Sequence, residues 1–474
     1  MRPQDTVERA LAAARCDECV VIADEMSSAN LRWAANSLTT NGVSRSRQLT
    51  VVAISRNAEG ASVGVVSRAG VRDDQVADVV AAAEQAAAES FPAEDAQALL
   101  GPADHEAFSQ KEGTELGQPG WDDEPGSTGI GVFGAFSPAL GEAFEISSAA
   151  GMKLYGYAEH SLTSSFLGTS TGLRLRHDQP TGRADINAKS AEPGGSAWAG
   201  RATHDFTDVD VAAITADLGR RLEWARRQVD LPAGRYQTLL TPGAMADLFV
   251  YLYCFSTGAK DALDGRTVFS KPGGGTRVGE RLASLPVTMR SDPGAAGMRC
   301  APFVIARSSG RDTSVFDNGL AIPPVTWLHD GVLTALTQTR WTAGESGMPA
   351  TPNTDNLILE SAGAGGASLD DLIAGTQRGL LVTCLWYVRE VDPQTLLLTG
   401  LTRDGVYLVE NGEVTGAVNN FRFNESPVGL LGRLAEVGAT EPALAREWSE
   451  YFSRSAMPPA RFEDFNMSSV SQAN

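Results

Sequence analysis

The residues able to do chemistry in this chain are few and scattered. Cys16 and Cys19 stand in the C-x-x-C spacing "CDEC", which suits half of a zinc knuckle or a dithiol redox pair. A structural zinc needs four ligands and no second C-x-x-C exists, so a buried or incidental pair is the favoured reading. Cys254, Cys300 and Cys384 lie in apolar surroundings, where a thiol packs more often than it reacts. The histidines, His105, His160, His177, His204 and His329, include no pair at helical ligand spacing. His160 beside Glu159 on an expected strand, and His177 beside Asp178 near an expected hairpin, read as solvated or hydrogen-bonded residues.

No G-x-S-x-G elbow occurs, and the Gly-rich "SKPGGGTRVGE" lacks the Gly-Lys-Ser/Thr ending that lets a P-loop hold phosphates. It reads as a mobile loop whose Lys271 and Arg277 could grip a carboxylate or a peptide backbone. The densest cluster is "FRFNESP", Phe421 to Pro427. Arg422 and Asn424 alternate with two Phe residues, so polar groups share one face of a strand and aromatics the other. Glu425 follows at the strand end, where an internal salt bridge anchoring a turn before Pro427 is the structural alternative.

One helix is marked clearly by its ends. In "TPGAMADLFVYLY", residues 241 to 253, Thr241 can cap orphan amides and Pro242 takes the first helical position. Asp247 is its only acid, among apolar and aromatic neighbours that include Tyr251 and Tyr253.

The elements that must position these residues follow from periodicity. A helix to about Arg15 precedes a strand in "CVVIADE", then "ANLRWAANSLTT", "QLTVVAIS" and "ASVGVVS", with hairpin breaks expected at Asn41-Gly42 and around Asn57 to Gly60. "DDQVADVVAAAEQAAAES" is a periodic Ala-rich helix with acids in its first turn. Residues 102–130 are acidic and Gly/Pro-rich without a period, and read as a linker or surface excursion. A helix around "SPALGEAFEISSAAG", two long strands joined at "STG", and a helix in "DVDVAAITADLGRRLEWARRQ" form a central unit. From residue 231 onward short strands follow one another. The expected fold is α+β: an N-terminal α/β domain at 1–101, the linker at 102–130, a central α/β unit at 131–230, and a β-rich, sheet or barrel-like domain at 231–474.

Composition narrows the function. The 474 residues carry a formal charge of −19 and no Lys/Arg run, which disfavours nucleic acid. No apolar run approaches the ~20 residues that span a bilayer, and no charged-then-apolar leader opens the chain, so a cytoplasmic protein without membrane partners is expected. Five cysteines over this length do not form a disulfide framework.

The ordered motifs "LLTPGAMADL", "TPNTDNLILESAG…SLDDLIAGTQRGLLVT", "VYLVENGEVTGAVNNFRFNESP" and "ARFEDFNMSSVS" resemble the TldD/TldE (PmbA) family of metalloproteases. The resemblance implies a heterodimer whose TldD-like subunit binds zinc through an H-E-x-x-x-H helix and a Cys near the C-terminus. Here the corresponding segment, "GAMADLFVYLYCFSTG", has no histidine, and the closing "SRSAMPPARFEDFNMSSVSQAN" has no Cys. The chain is therefore expected to be the TldE-like subunit, with no catalytic or metal residues and no cofactor of its own, and with zinc in a TldD-like partner. The implied activity of the pair is hydrolysis of small or unfolded peptides, including leader removal in peptide maturation, on a peptide bound as an added strand. Peptide- or partner-contacting candidates are Asp247, Tyr251, Tyr253, Lys271, Arg277, Arg422, Asn424 and Glu425, with Trp386 either an interface or a core residue. A homodimeric peptide-binding or scaffold protein is the alternative, and an independent hydrolase with an unrecognised nucleophile is the third reading.

Overall fold

The computed structural model describes residues 2–58, 60–106, 120–190, 195–361 and 366–471. Helix α1 (Pro3–Ala13) leads into β1 (Glu18–Ala34), β2 (Ser37–Asn57) and β3 (Gly60–Ala69), then α2 (Val76–Glu89). Helix α3 (Phe136–Ala149), β4 (Met152–Thr169), β5 (Arg174–Ser190), β6 (Ser196–Thr203) and α4 (Val211–Trp224) follow. The six strands form one antiparallel sheet in the order β3-β2-β1-β4-β5-β6. The segments 1–101 and 131–230 thus share a sheet, joined where β1 pairs β4 from Val20↔Thr169 to Trp33↔Gly156.

Alternation along β1 assigns the two faces. Cys19, Val21 and Ala23 pack with α1 and α2, and Ala29, Leu31 and Trp33 with α3 and α4. All four helices therefore cover one face. The other face turns to the C-terminal part: Val20 and Ile22 pack with Val315 and Phe316, and Asp24 takes Arg307 in a bidentate pair at 2.7 and 2.9 Å.

The hairpin joining β1 and β2 turns at Ala35-Asn36 and not at Asn41-Gly42, which lies inside β2. Both turn residues have positive φ, 50° and 64°, as a tight two-residue hairpin requires. Asn36 is held there by its own amide, which donates to Met152 O at 2.8 Å and accepts from Leu154 N at 2.6 Å. Of the expected linker, residues 107–119 lie outside the described residues. Its following stretch lies against β5, where the buried Arg176 donates to the carbonyls of Gly120, Asp123 and Glu124.

From residue 228 onward the chain builds a ten-stranded sheet and a further six-stranded sheet. Helix α5 (Pro242–Ser256) is buried among their apolar faces, with eleven of its fifteen residues buried, as a helix apolar all round must be. Thr241 caps it, its Oγ1 accepting from Ala244 N and donating to Thr383 O at 2.8 Å. The chain is α+β. No helix among the described residues is long and apolar enough to cross a membrane.

Candidate functional site

Helix α5 brings its single acid to the end of the ten-stranded sheet. Asp247 is fully buried; one carboxylate oxygen accepts the Leu385 N–H at 2.8 Å and the other the Glu447 N–H at 2.9 Å. Its carbonyl accepts the Trp448 indole N–H at 2.8 Å. Burial dominates over these bonds and pushes the carboxyl up to about 7. Leu385 begins the sheet's edge strand, Leu385–Asp392, where the Tyr387 N–H donates to the Glu447 carboxylate at 2.8 Å. Asp247 and Glu447 together satisfy the N–H groups that this end of the edge would otherwise offer.

Beside them lies a buried cation. Arg446 donates to Asp404 at 2.7 Å and to the Cys384 thiol at 3.2 Å. Its guanidinium sits between two indoles, 5.3 Å from the Trp198 ring and 5.1 Å from that of Trp386. Trp198 belongs to β6, so the stack crosses from the first six-stranded sheet to the C-terminal sheets. Arg446, Trp198 and Trp386 also line a cleft of ≈ 920 Å³ between the open face of the first sheet and residues 449–454, with Arg32, Tyr157 and Arg183 across it.

The zinc that the resemblance implies does not fit this group. On α5 only Asp247 and Cys254 are ligand types, seven residues and therefore about 10.5 Å of rise apart. Asp247 commits both oxygens to backbone donors, burial pushes the Cys254 thiol up to about 12, and burial also raises the Cys384 thiol. Arg446 adds a fixed positive charge against Cys384. Among the described residues no three His, Cys, Asp or Glu side chains converge as metal ligands.

The remaining candidates do not gather here. The Tyr253 hydroxyl is buried, donating to Thr354 O and accepting from Thr354 N, both at 2.8 Å. Tyr251 is half-buried, its ring 5.3 Å from Trp448 and 4.7 Å from the exposed Phe255. Lys271 and Arg277 both face Glu280, at 3.8 and 2.9 Å, and their loop, expected to be mobile, closes as a turn through Lys271 N to Gly275 O. Arg422 is exposed on its strand, while Glu425 is buried and accepts from Arg433 and from Asn466 N. Glu425 is therefore the internal anchor before Pro427. The Asn424 side-chain oxygen is buried with no partner. His160 is structural as well, bonded to Thr128 and to the His204 carbonyl. Sequence reasoning missed Asp404, Arg446, Glu447, Trp198 and Trp448, because their partners lie far along the chain and no local period marks them.

Two packed sheet regions surround a buried, capped helix that carries no histidine. Residues 233–469 match the family model of the PmbA/TldA metallopeptidase C-terminal domain, and the chain belongs to that family. The fold is that of TldE from Thermococcus kodakarensis, with a TM-score of 0.75 at 15% identity over 98% of this chain and 99% of that one. A Thermotoga maritima protein described as a proposed modulator of a DNA gyrase aligns with a TM-score of 0.73 at 16% identity, over 98% and 99%. The curated proteins contain no match to this chain.

Proposed function

We propose that this chain is the non-catalytic subunit of a heterodimeric TldD/TldE-type zinc metalloprotease acting in the cytoplasm on small or unfolded peptides, including leader removal in peptide maturation. The observation that carries this reading is the state of α5. The catalytic kind of subunit needs neutral imidazoles and a thiolate around an open coordination site. Here the helix presents a buried carboxylate bonded to two backbone amides, with a caged arginine beside it. Such a group locks the helix against the edge strand and the 444–451 segment. The subunit then supplies chamber wall and partner contacts, and the TldD-like partner supplies zinc and the attacking water. The aromatic surface of Tyr251, Phe255 and Trp448, with the exposed Tyr387 nearby in sequence to Trp386, supports a role in contact.

The test is purification of the chain alone and together with a TldD-like protein from the same genome, followed by metal analysis and cleavage of an unstructured peptide. Zinc and chelator-sensitive cleavage are expected only in the complex. Stoichiometric zinc or cleavage in the isolated chain would overturn the proposal. A stable homodimer that binds peptide and forms no complex would replace it with the scaffold reading.

A further inference from the structure

Over half its length, strand β2 is paired on one edge only. It pairs with β1 from Ser37 to Ile54, but on its other side β3 reaches only from Asn57 to Gln48. No described strand continues that pairing over residues 37–47. The direction of the free groups follows from Arg47, whose carbonyl accepts the Gly70 N–H at 2.9 Å just past β3 and so points away from β1. The β1–β2 register runs without a bulge from Thr40 to Ile54, so alternation turns the N–H and C=O of Asn41, Val43 and Arg45 the same way. Every residue from 37 to 48 is exposed except Gly42, which is partly so, and Val43 and Leu38 are 65% and 48% exposed. Open edges are commonly blunted by proline, by inward-pointing charge or by a covering element, and "SLTTNGVSRSR" has neither proline nor acid.

We propose that this edge is an interface between two copies of the chain, paired antiparallel across a two-fold axis at Val43, which joins their first sheets into one. The segment's complementarity to itself names the occupant. Centring the axis on Val43 sets Val43 opposite Val43 and Asn41 opposite Arg45, so each outward N–H and C=O of these residues finds a partner. Moving the axis to Gly42 leaves Arg45 opposite the bulged Thr39, and moving it to Ser44 sets Asn41 against Arg47, whose carbonyl Gly70 already takes. Centring on Arg45 brings two guanidinium groups together.

The axis at Val43 also places Ser44 opposite Gly42 and Thr40 opposite Ser46, with no like charges in contact and two exposed branched side chains brought together. On the open face the added strand continues the floor formed by Ser28, Asn30 and Arg32. These residues face Ser44, Gly42 and Thr40 across β1 and β2, and the Ser28 and Ser44 hydroxyls bond at 2.8 Å. The edge belongs to the first sheet and α5 to the C-terminal sheets, so the pairing stands apart from the reading of α5 and is measured on the chain alone.

The experiment measures the mass of the full chain by sedimentation over a dilution series. Wild type is expected to pass from twice 50.0 kDa towards 50.0 kDa on dilution. Val43→Asp and Val43→Lys each place like charges together at the axis and should be monomeric. Their equimolar mixture should recover the dimer, because only a strand that faces itself brings residue 43 against residue 43. Val43→Pro removes an N–H that β1 does not use and should also be monomeric. Circular dichroism of each variant, expected to match wild type because Val43 is exposed, controls for folding. The proposal fails if wild type is monomeric throughout, if the dimer survives the single substitutions, or if the mixed variants stay apart. A monomeric wild type whose Val43→Asp variant no longer binds a TldD-like protein would also overturn it, and would give the edge to that partner instead.

Discussion

Replacing Asp247 by Asn tests which force governs the helix at the centre of the candidate site. Burial opposes the charge on Asp247, whereas the N–H groups of Leu385 and Glu447 and the nearby Arg446 favour it; burial wins and the carboxyl rises to about 7 from 3.8. An acid whose folded value lies above its unfolded one binds more protons when folded, so stability falls as pH rises between the two. The interval of about three units corresponds to ~4 kcal/mol at about 1.4 kcal/mol per unit. Below pH 4 the side chain is neutral in both states and contributes no such loss; above pH 7 the whole loss is present. Asn has the same shape and no charge, so Asp247→Asn lacks this titration. It also turns an amide donor towards one backbone N–H, at a pH-independent cost of ~1–3 kcal/mol.

The quantity to measure is the difference in urea unfolding free energy between wild type and Asp247→Asn from pH 5 to pH 8, in which the titration of shared groups cancels. The difference should move in favour of the Asn variant by ~3 kcal/mol as pH rises, the two units from pH 5 to pH 7 at about 1.4 kcal/mol each, most of it before pH 7. A constant difference would show that Asp247 does not titrate in this range. Movement in favour of wild type would show that the backbone bonds and Arg446 outweigh burial, and would refute the reasoning.

Three further substitutions probe residues singled out in the sequence. Glu425→Gln leaves the mostly buried Arg433 guanidinium without its ion partner, and should cost ~3–5 kcal/mol in urea unfolding while complex formation with a TldD-like partner is unchanged. Tyr253→Phe removes a hydroxyl that both donates to and accepts from Thr354, and should cost ~1–3 kcal/mol by the same measurement. Burial holds His160 below the ordinary imidazole value, so the folded state resists its protonation and stability contributed by the neutral ring is lost as pH falls below about 6.5. His160→Gln should lessen that loss, read as a smaller drop in melting temperature between pH 7 and pH 5.5 than in wild type.

Local features were legible wherever the chain specifies them within a few residues. Thr241 before Pro242 marked the start of α5, and the alternation in β4 and β5 marked two long strands on either side of the turn at residues 170–172. Asn41-Gly42 misled because its type suits a hairpin, whereas Asn36 turns the chain with three side-chain bonds to residues more than a hundred positions away. The site was legible as an absence of histidine and illegible as a presence. Asp247 meets Leu385 and Glu447 across separations of 138 and 200 residues, and no spacing rule spans such distances. For the same reason Glu425 and Lys271, with chemically suggestive neighbours in sequence, proved to be held by Arg433 and Glu280 in space.

The edge of the ten-stranded sheet gives the reading of α5 a geometric consequence. An extended peptide joins a sheet by exchanging backbone hydrogen bonds with an edge strand. At the start of Leu385–Asp392, the N–H groups of Leu385 and Tyr387 are taken by Asp247 and Glu447, and the Val388 carbonyl by the Arg389 guanidinium. Carboxylates from the helix and from the 444–451 segment thus act where the carbonyls of an incoming strand would. A protein that kept this edge for a substrate would leave those donors to it. Here the groups that remove histidine chemistry from α5 also close the adjacent edge, and the two changes are one arrangement: Asp247 serves both, reaching Leu385 with one oxygen and fixing the segment that carries Glu447 with the other.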